Sequence, residues 1–341
     1  MILLEAKDIN LIIKKLGLEK FYLQLVDRLT KDFQNWKDFQ KCSRNAMYVN
    51  NGVIELMPTC DKQYYSFKYV NGHPQNPKYG KLNIIGVGML ANVETGYPLM
   101  LASMNILTAV RTAAISALSS KYLAKTSSKT VAIIGCGAQS EFQILAHTAL
   151  FDIKEVRCFD LSKSAMERFA RNLANEHFKI TFADDCLDAI AGADIIITLT
   201  SVKDKQKILE IKNIMPGVHI CAVGGDSPGK TELDVEILKQ SKVVIEYFPQ
   251  TVVEGEIQNL GDEAHKTVYA ELWEIISGLK QGRVDDNEVT VFDAVGFAIE
   301  DFSALRLCYD LAKELGVGKD IDFVPYSIED CKDLYGLFLR E

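Results

Sequence analysis

Hydrophobic positions change their spacing along the chain, and each spacing predicts a different kind of element. Near the N-terminus Phe21, Leu25, Leu29 and Phe33 recur at helical intervals, behind a shorter helix that Asp8 can cap. That stripe reads as a core face. From 53 to 101 the pattern shortens to strand-like pieces at 53–57, 65–70 and 84–90, ending in the turn Glu94-Thr95-Gly96-Tyr97-Pro98. A helical stretch rich in alanine and serine, about 105–124, leads to a break at Ser127-Ser128-Lys129. Beyond it, apolar runs at 130–134, 194–200, 218–223, 243–246 and 289–293 alternate with helical patterns at 141–150, 164–176 and 185–190, with a short strand at 179–182. Near-continuous apolar strands separated by helices predict a parallel sheet covered on both faces. A last helix over 298–315 is expected to return to the first region. No internal repeat or low-complexity tract interrupts this order.

Composition narrows the class. With 341 residues, 48% hydrophobic and 25% charged, the chain suits two globular domains rather than one core or a disordered polymer. A net charge of −8 provides no basic footprint for nucleic acid or an anionic membrane. The first residues lack the basic start and apolar core of a signal peptide, and no segment nears about 18 uninterrupted apolar residues. A cytoplasmic location is the expectation. Eight cysteines without a CxxC pair read as buried free thiols, and five scattered histidines form no ligand cluster, so no metal site is expected.

The most specific chemistry lies at 130–160. The run Thr130-Val131-Ala132-Ile133-Ile134 enters the turn Gly135-Cys136-Gly137-Ala138-Gln139-Ser140, and Asp160 ends the next strand, 25 residues after Gly135. Gly135 permits a tight strand-to-helix turn, Gly137 lets backbone amides approach a pyrophosphate, and Ser140 is a mild departure at the third small position. A carboxylate at Asp160 suits ribose hydroxyls and repels a 2′-phosphate, which favours NAD over NADP. The fold expected is therefore α/β: a Rossmann-type doubly wound NAD-binding domain over 117–304, beside an α+β substrate-binding and dimerisation domain over 1–116 to which 305–341 returns.

Four charges interrupt apolar or small-residue surroundings: Arg44, Lys68, Arg111 and Asp226. Such placement costs free energy unless the charge is paired or meets a ligand. Lys68 and Arg111 also fit snorkelling surface residues. Asp226 follows a strand end and Gly224-Gly225, at the carboxyl edge where α/β enzymes bind ligands, although it also fits the cap of a helix around 231–238.

Five blocks carry a resemblance: Ile54-Glu55-Leu56-Met57-Pro58, Phe67-Lys68-Tyr69-Val70-Asn71-Gly72-His73-Pro74, Gly135-Cys136-Gly137-Ala138-Gln139-Ser140-Glu141-Phe142-Gln143, the stretch from Ala222-Val223-Gly224-Gly225-Asp226 through Lys230-Thr231-Glu232-Leu233, and Val289-Thr290-Val291-Phe292-Asp293-Ala294-Val295-Gly296-Phe297-Ala298. Together they resemble the ornithine cyclodeaminase and mu-crystallin family over about 1–335, closest to its cyclodeaminase branch. The resemblance implies Arg44, Lys68 and Arg111 at the substrate carboxylate, Asp226 as catalytic acid/base, and Glu55 and Val295 in the pocket. It implies NAD contacts at Arg111, Gly135, Gly137, Ala138, Gln139, Asp160, Thr200, Ile220, Cys221, Ala222, Val223 and Lys230. Asn83 and Ala294 stand where hydroxyl residues are expected at two further cofactor contacts. The implied reaction turns L-ornithine into L-proline and ammonia by oxidation, cyclisation and reduction with NAD regenerated, in a homodimer joined through the first domain. A lysine cyclodeaminase, a ketimine reductase or amino-acid dehydrogenase with net cofactor turnover, and a mu-crystallin-like binding protein remain alternatives.

Overall fold

Two eight-stranded sheets organise the chain in a computed structural model that describes residues 1–201, 205–324 and 332–339. In the first, the strands run in the order Lys319–Asp320, Ile2–Leu4, Pro98–Ser103, Ile84–Asn92, Tyr64–Gly72, Gly52–Cys60 and Gln40–Lys41, and Asn45–Val49 also pairs with Gly52–Cys60. Its central pairs are antiparallel, with Met57 opposite Lys68 and Lys68 opposite Gly88. Alternation therefore puts Met57, Lys68 and Val70 on an inner face, all buried, and Leu56, Tyr69 and Val87 on an outer one, all exposed.

The second sheet is parallel throughout, in the order Lys179–Phe182, Glu155–Phe159, Thr130–Ile134, Ile195–Thr198, His219–Ala222, Thr290–Asp293, Lys242–Ile245 and Val268–Glu271. The strand order reverses beside Thr130–Ile134, where its first and fourth strands pair. This is the arrangement that opens a crevice at the carboxyl ends of a doubly wound sheet. The five strands from Thr130–Ile134 to Lys242–Ile245 in that order are almost wholly buried, which explains their near-continuous apolar runs.

The helix Asn105–Leu123 joins the two halves, and nearly every residue from Leu107 to Ser120 is buried. A helix apolar on all sides has no solvent face to offer, and this one packs into the core shared by Phe21, Leu25, Phe292 and Phe302. Helix Ala298–Leu315 leaves the parallel sheet and packs on strands Gly52–Cys60, Tyr64–Gly72 and Ile84–Asn92. The chain then pairs Lys319–Asp320 antiparallel to Ile2–Leu4. Within the returning segment 305–341, residues 325–331 and 340–341, Cys331 among them, lie outside the described residues.

Three local readings are corrected. Asp8 does not cap the first helix from in front; it is the third residue of Ala6–Leu16 and accepts from Glu5 N at 2.9 Å, the return half of a capping box. Pro98, read as the end of a turn, opens the strand Pro98–Ser103, a position where a missing N–H is tolerated. Residues 231–238 are not one helix: Thr231–Leu233 is a strand paired with Lys205–Leu209, and Asp234 then caps Val235–Gln240.

Candidate active site

The site grows from the switch point. Gly135 adopts φ +102°, and a Cβ there would meet Leu199 C and O at 2.9 Å, so only glycine lets the two crossing loops touch. Asp160 braces this turn, accepting from Cys136 N at 2.7 Å and Ser162 N at 2.8 Å. Ser140 turns its departure from the usual pattern to use by donating to Gly137 O at 2.8 Å, and it starts the helix Ser140–Thr148. A Cβ on Gly137 would have no heavy atom within 4 Å, Ala138 is exposed, and the buried Gln139 Oε1 lacks a partner. Open space before a helix N-terminus, an unpartnered buried oxygen and a braced carboxylate fit a dinucleotide. Thr200 closes the opposite loop, its N–H donating to Glu232 Oε1 at 2.8 Å and its hydroxyl to the same oxygen. Ile220, Cys221 and Ala222 are buried in the neighbouring strand, and Val223 is half-buried at its end.

The inner face of the first sheet and helix Asn105–Leu123 supply the cations. Lys68 and Arg111 are buried, so neither is a snorkelling surface residue. Both donate to Asp301 Oδ1 at 2.9 Å, from Lys68 Nζ and Arg111 Nε, and Arg111 Nη1 reaches Glu300 Oε2 at 2.5 Å. Burial, with the nearby Arg111 charge, pulls the Lys68 ammonium down to about 8 against the opposing pull of Asp301. Burial disfavours the Arg111 charge as well, but Asp301, Glu300 and Glu246 outweigh it and hold the guanidinium above its ordinary value. Gly296, at φ +80°, passes so close that a Cβ would lie 2.5 Å from Arg111 Nη1.

Arg44 is committed within the protein more fully than a free clamp would be. Its Nη1 lies 3.3 Å from Glu55 Oε2, its Nε 3.0 Å from Glu254 Oε2, and its Nη2 donates to Val295 O at 2.6 Å and Gly296 O at 2.7 Å. It thereby ties the first sheet to the turn after strand Thr290–Asp293. Burial raises Glu254 to about 7, against the nearby Arg44 charge. Asp226 stands at the rim, its side chain 46% exposed, 3.1 Å from Lys230 Nζ. Its charge reaches both Arg44 and Glu254. Because Asp234 caps the following helix, the capping role considered for Asp226 is excluded.

Arg44, Glu55, Lys68, Arg111, Val295 and Asp226 thus converge on one region between the inner face and the carboxyl edge. Ala294 is buried there, with its N–H on Ala222 O at 2.9 Å. Asn83 is exposed in the loop before Ile84–Asn92, where its carbonyl accepts from His73 N at 2.8 Å. Four buried acids, Glu246, Glu254, Glu300 and Asp301, complete the region, and the sequence reading missed them. The adjacent acids Glu300-Asp301 inside an apolar helix were the available signal, since buried charges demand partners.

A glycine turn at the switch point of a doubly wound sheet defines the class: a dinucleotide-binding protein whose N-terminal half holds a cluster of buried cations. The chain belongs to the ornithine cyclodeaminase/mu-crystallin family, whose model matches residues 7–316. It is 46% identical over 329 residues to an ornithine cyclodeaminase of Agrobacterium tumefaciens (strain Ach5), covering 96% of this chain and 91% of that one. Among solved structures, a lysine cyclodeaminase studied for recognition of L-lysine, L-ornithine and L-2,4-diaminobutyric acid is similar, at TM-score 0.90 and 28% identity over 99% of both chains. An archaeal alanine dehydrogenase dimer with bound NAD is similar at TM-score 0.88 and 30% identity, over 95% of this chain and 99% of that one.

Proposed function

We propose that this protein converts L-ornithine to L-proline and ammonia, with one tightly held NAD used and restored in each turnover. What supports the reading is the buried Lys68–Asp301–Arg111 cluster, with Arg44 lying within electrostatic reach of both Arg111 and Asp226, in a chain 46% identical to an ornithine cyclodeaminase. Bound NAD would supply a hydride acceptor for the α carbon and, reduced, a hydride donor for the cyclic imine. Gly135, Gly137, Ala138, Gln139 and Asp160 would hold its pyrophosphate and ribose side, with Arg111, Thr200, Ile220 to Val223 and Lys230 along the rest. Asn83 and Ala294 are the weakest of the proposed contacts, because neither offers the hydroxyl expected there.

Lys68 and Arg111 bind the substrate carboxylate, and Arg44 fixes the wall that Glu55 and Val295 line. Asp226 accepts a proton from the distal ammonium, freeing its lone pair for ring closure, and returns a proton to the departing amine. Lys230 holds that carboxylate from one side. Lysine is the second candidate substrate, favoured by the structural likeness to a lysine cyclodeaminase, and one methylene discriminates by only about 1–3 kcal/mol. We further infer a homodimer formed through the outer face of the first sheet, with a substrate-binding half over 1–116 and 305–341 and an NAD-binding half over 117–304. A reducing, cytoplasmic setting suits the buried free thiols Cys136, Cys158, Cys221 and Cys308.

The test is product analysis with ornithine or lysine, each deuterated at the α carbon, and NAD far below substrate. Proline and ammonia in equal amounts, deuterium largely retained and no NADH accumulating are the expected results. NADH formed in proportion to product would instead identify a dehydrogenase.

A further inference from the structure

Behind Arg111 two carboxyl groups meet out of contact with solvent. Glu246 follows strand Lys242–Ile245 and Glu300 sits in the first turn of helix Ala298–Leu315; both are 0% exposed, their carboxyl groups lie near enough to interact, and the buried Glu246 Oε1 has no partner among the described residues. Glu246 Oε2 accepts from Val295 N at 3.0 Å and Gly296 N at 2.8 Å. Glu300 accepts from Phe297 N at 3.2 Å and from Arg111 Nη1 at 2.5 Å. From the other side, Gln250 Nε2 and Arg44 Nη2 donate to Gly296 O at 2.9 and 2.7 Å. The turn 295–297 is therefore clamped between the acid pair, Arg44 and Gln250, with Gly296 pressed against the Arg111 guanidinium.

We propose that Glu246 is a positioning residue for the substrate-carboxylate pole: through the pair with Glu300 it fixes the turn bearing Val295 and sets the net charge around Arg111. The inference rests on the reading that Lys68 and Arg111 receive an amino-acid carboxylate. Ionising a carboxyl in a dry site beside a second carboxylate is costly, and a proton on Glu246 relieves that cost. Burial and the adjacent Glu300 raise Glu246 well above the usual carboxyl range, and the Arg111 charge and the Val295 N–H oppose this only in part. The charged groups that face it are Arg111 from helix Asn105–Leu123 and Glu300 from helix Ala298–Leu315; Asp301 and Lys68 follow through Arg111, and Arg44 through the carbonyl of Gly296. With a proton on Glu246, Lys68 and Arg111 balance Glu300 and Asp301, while Arg44 is matched by Glu55. Without it, the pole would carry an excess negative charge where a carboxylate is to bind.

The experiment uses the full chain with NAD and compares Glu246→Gln with Glu246→Ala. Glutamine reproduces a neutral carboxyl, with an oxygen for the two N–H groups and an N–H for Glu300. Glu246→Gln should keep ornithine kcat and KM within about threefold of wild type, while Glu246→Ala should raise KM by about tenfold or more with a smaller effect on kcat. Infrared spectra at neutral pH should show a neutral-acid C=O band in the wild type that loses intensity in Glu246→Gln, a readout that does not depend on folding of the alanine variant or on turnover. No change in that band, a glutamine variant as impaired as alanine, or an alanine variant with unchanged KM would each overturn the inference. A band that is present in the wild type and lost in Glu246→Gln, in a wild type that does not convert ornithine, would overturn the functional reading and leave the acid pair standing.

Discussion

Lys68 shows how a buried charge can serve binding and oppose folding at once. Its ammonium is 1% exposed, held 2.8 Å from Asp301 Oδ2, and lowered to about 8 chiefly by burial. In binding, only the protonated form attracts a carboxylate, so kcat/KM for ornithine should be level near neutrality and fall as pH rises through about 8. Stability moves the other way: between about 8 and the ordinary 10.5 the unfolded chain binds the extra proton, so this group's contribution rises with pH across that window. A pH–rate profile of the wild type against Lys68→Arg checks this, because a guanidinium stays charged and should remove the alkaline limb even where it weakens binding. A wild-type rate independent of pH from 7 to about 9.5 would show that Lys68 does not face the substrate.

At the scale of elements, the glycine turn is a joint between two strands rather than a loop on its own. Asp160, at the end of Glu155–Phe159, holds Cys136 N in the turn that follows Thr130–Ile134. Asp160→Ala should therefore do two things: relax the preference for NAD over NADP by removing a repulsive charge, and loosen the turn by about 1 kcal/mol for the lost hydrogen bond. Cofactor titrations and thermal melts of the variant separate these effects, and unchanged NAD affinity would remove Asp160 from the binding site. Elements of this kind were legible in the sequence because their signals are local: an apolar run, a glycine turn and an acid at fixed spacing. Helix Ala298–Leu315 was legible to its last residue, with Gly316 closing it in the left-handed region. Strands Asn45–Val49 and Thr231–Leu233 were not, since short polar-interrupted pieces take their conformation from a partner strand. The acid partners were hidden for the same reason: Lys68 and Asp301 are 233 residues apart, and no local pattern encodes that meeting.

The whole molecule leaves one face unexplained by its own packing. Cross-strand pairing aligns Leu56, Tyr69 and Val87 in one row and Ile54, Asn71 and Ile85 in the next, with Met47 opposite Ile54. Met47, Leu56, Tyr69, Ile85 and Val87 are 67, 39, 37, 42 and 41% exposed, while the opposite face of strands Gly52–Cys60, Tyr64–Gly72 and Ile84–Asn92 packs on helix Ala298–Leu315. Antiparallel sheets often show water one face, but that face is then polar. A largely apolar one fits the proposed homodimer, in which a second copy of the chain meeting it about a two-fold axis would cover both patches at once. The consequence reaches the site, because Lys68 lies on the buried side of the strand that carries Tyr69, and a covered sheet holds that strand in register. Light scattering of the wild type at micromolar concentration should therefore report a dimer. Val87→Arg should shift it to monomer by burying an unpaired charge in the interface, with weaker ornithine binding but NAD affinity nearly unchanged, since the dinucleotide turn belongs to the other sheet. A monomeric wild type, or a Val87→Arg variant that stays dimeric, would move the interface elsewhere on the molecule.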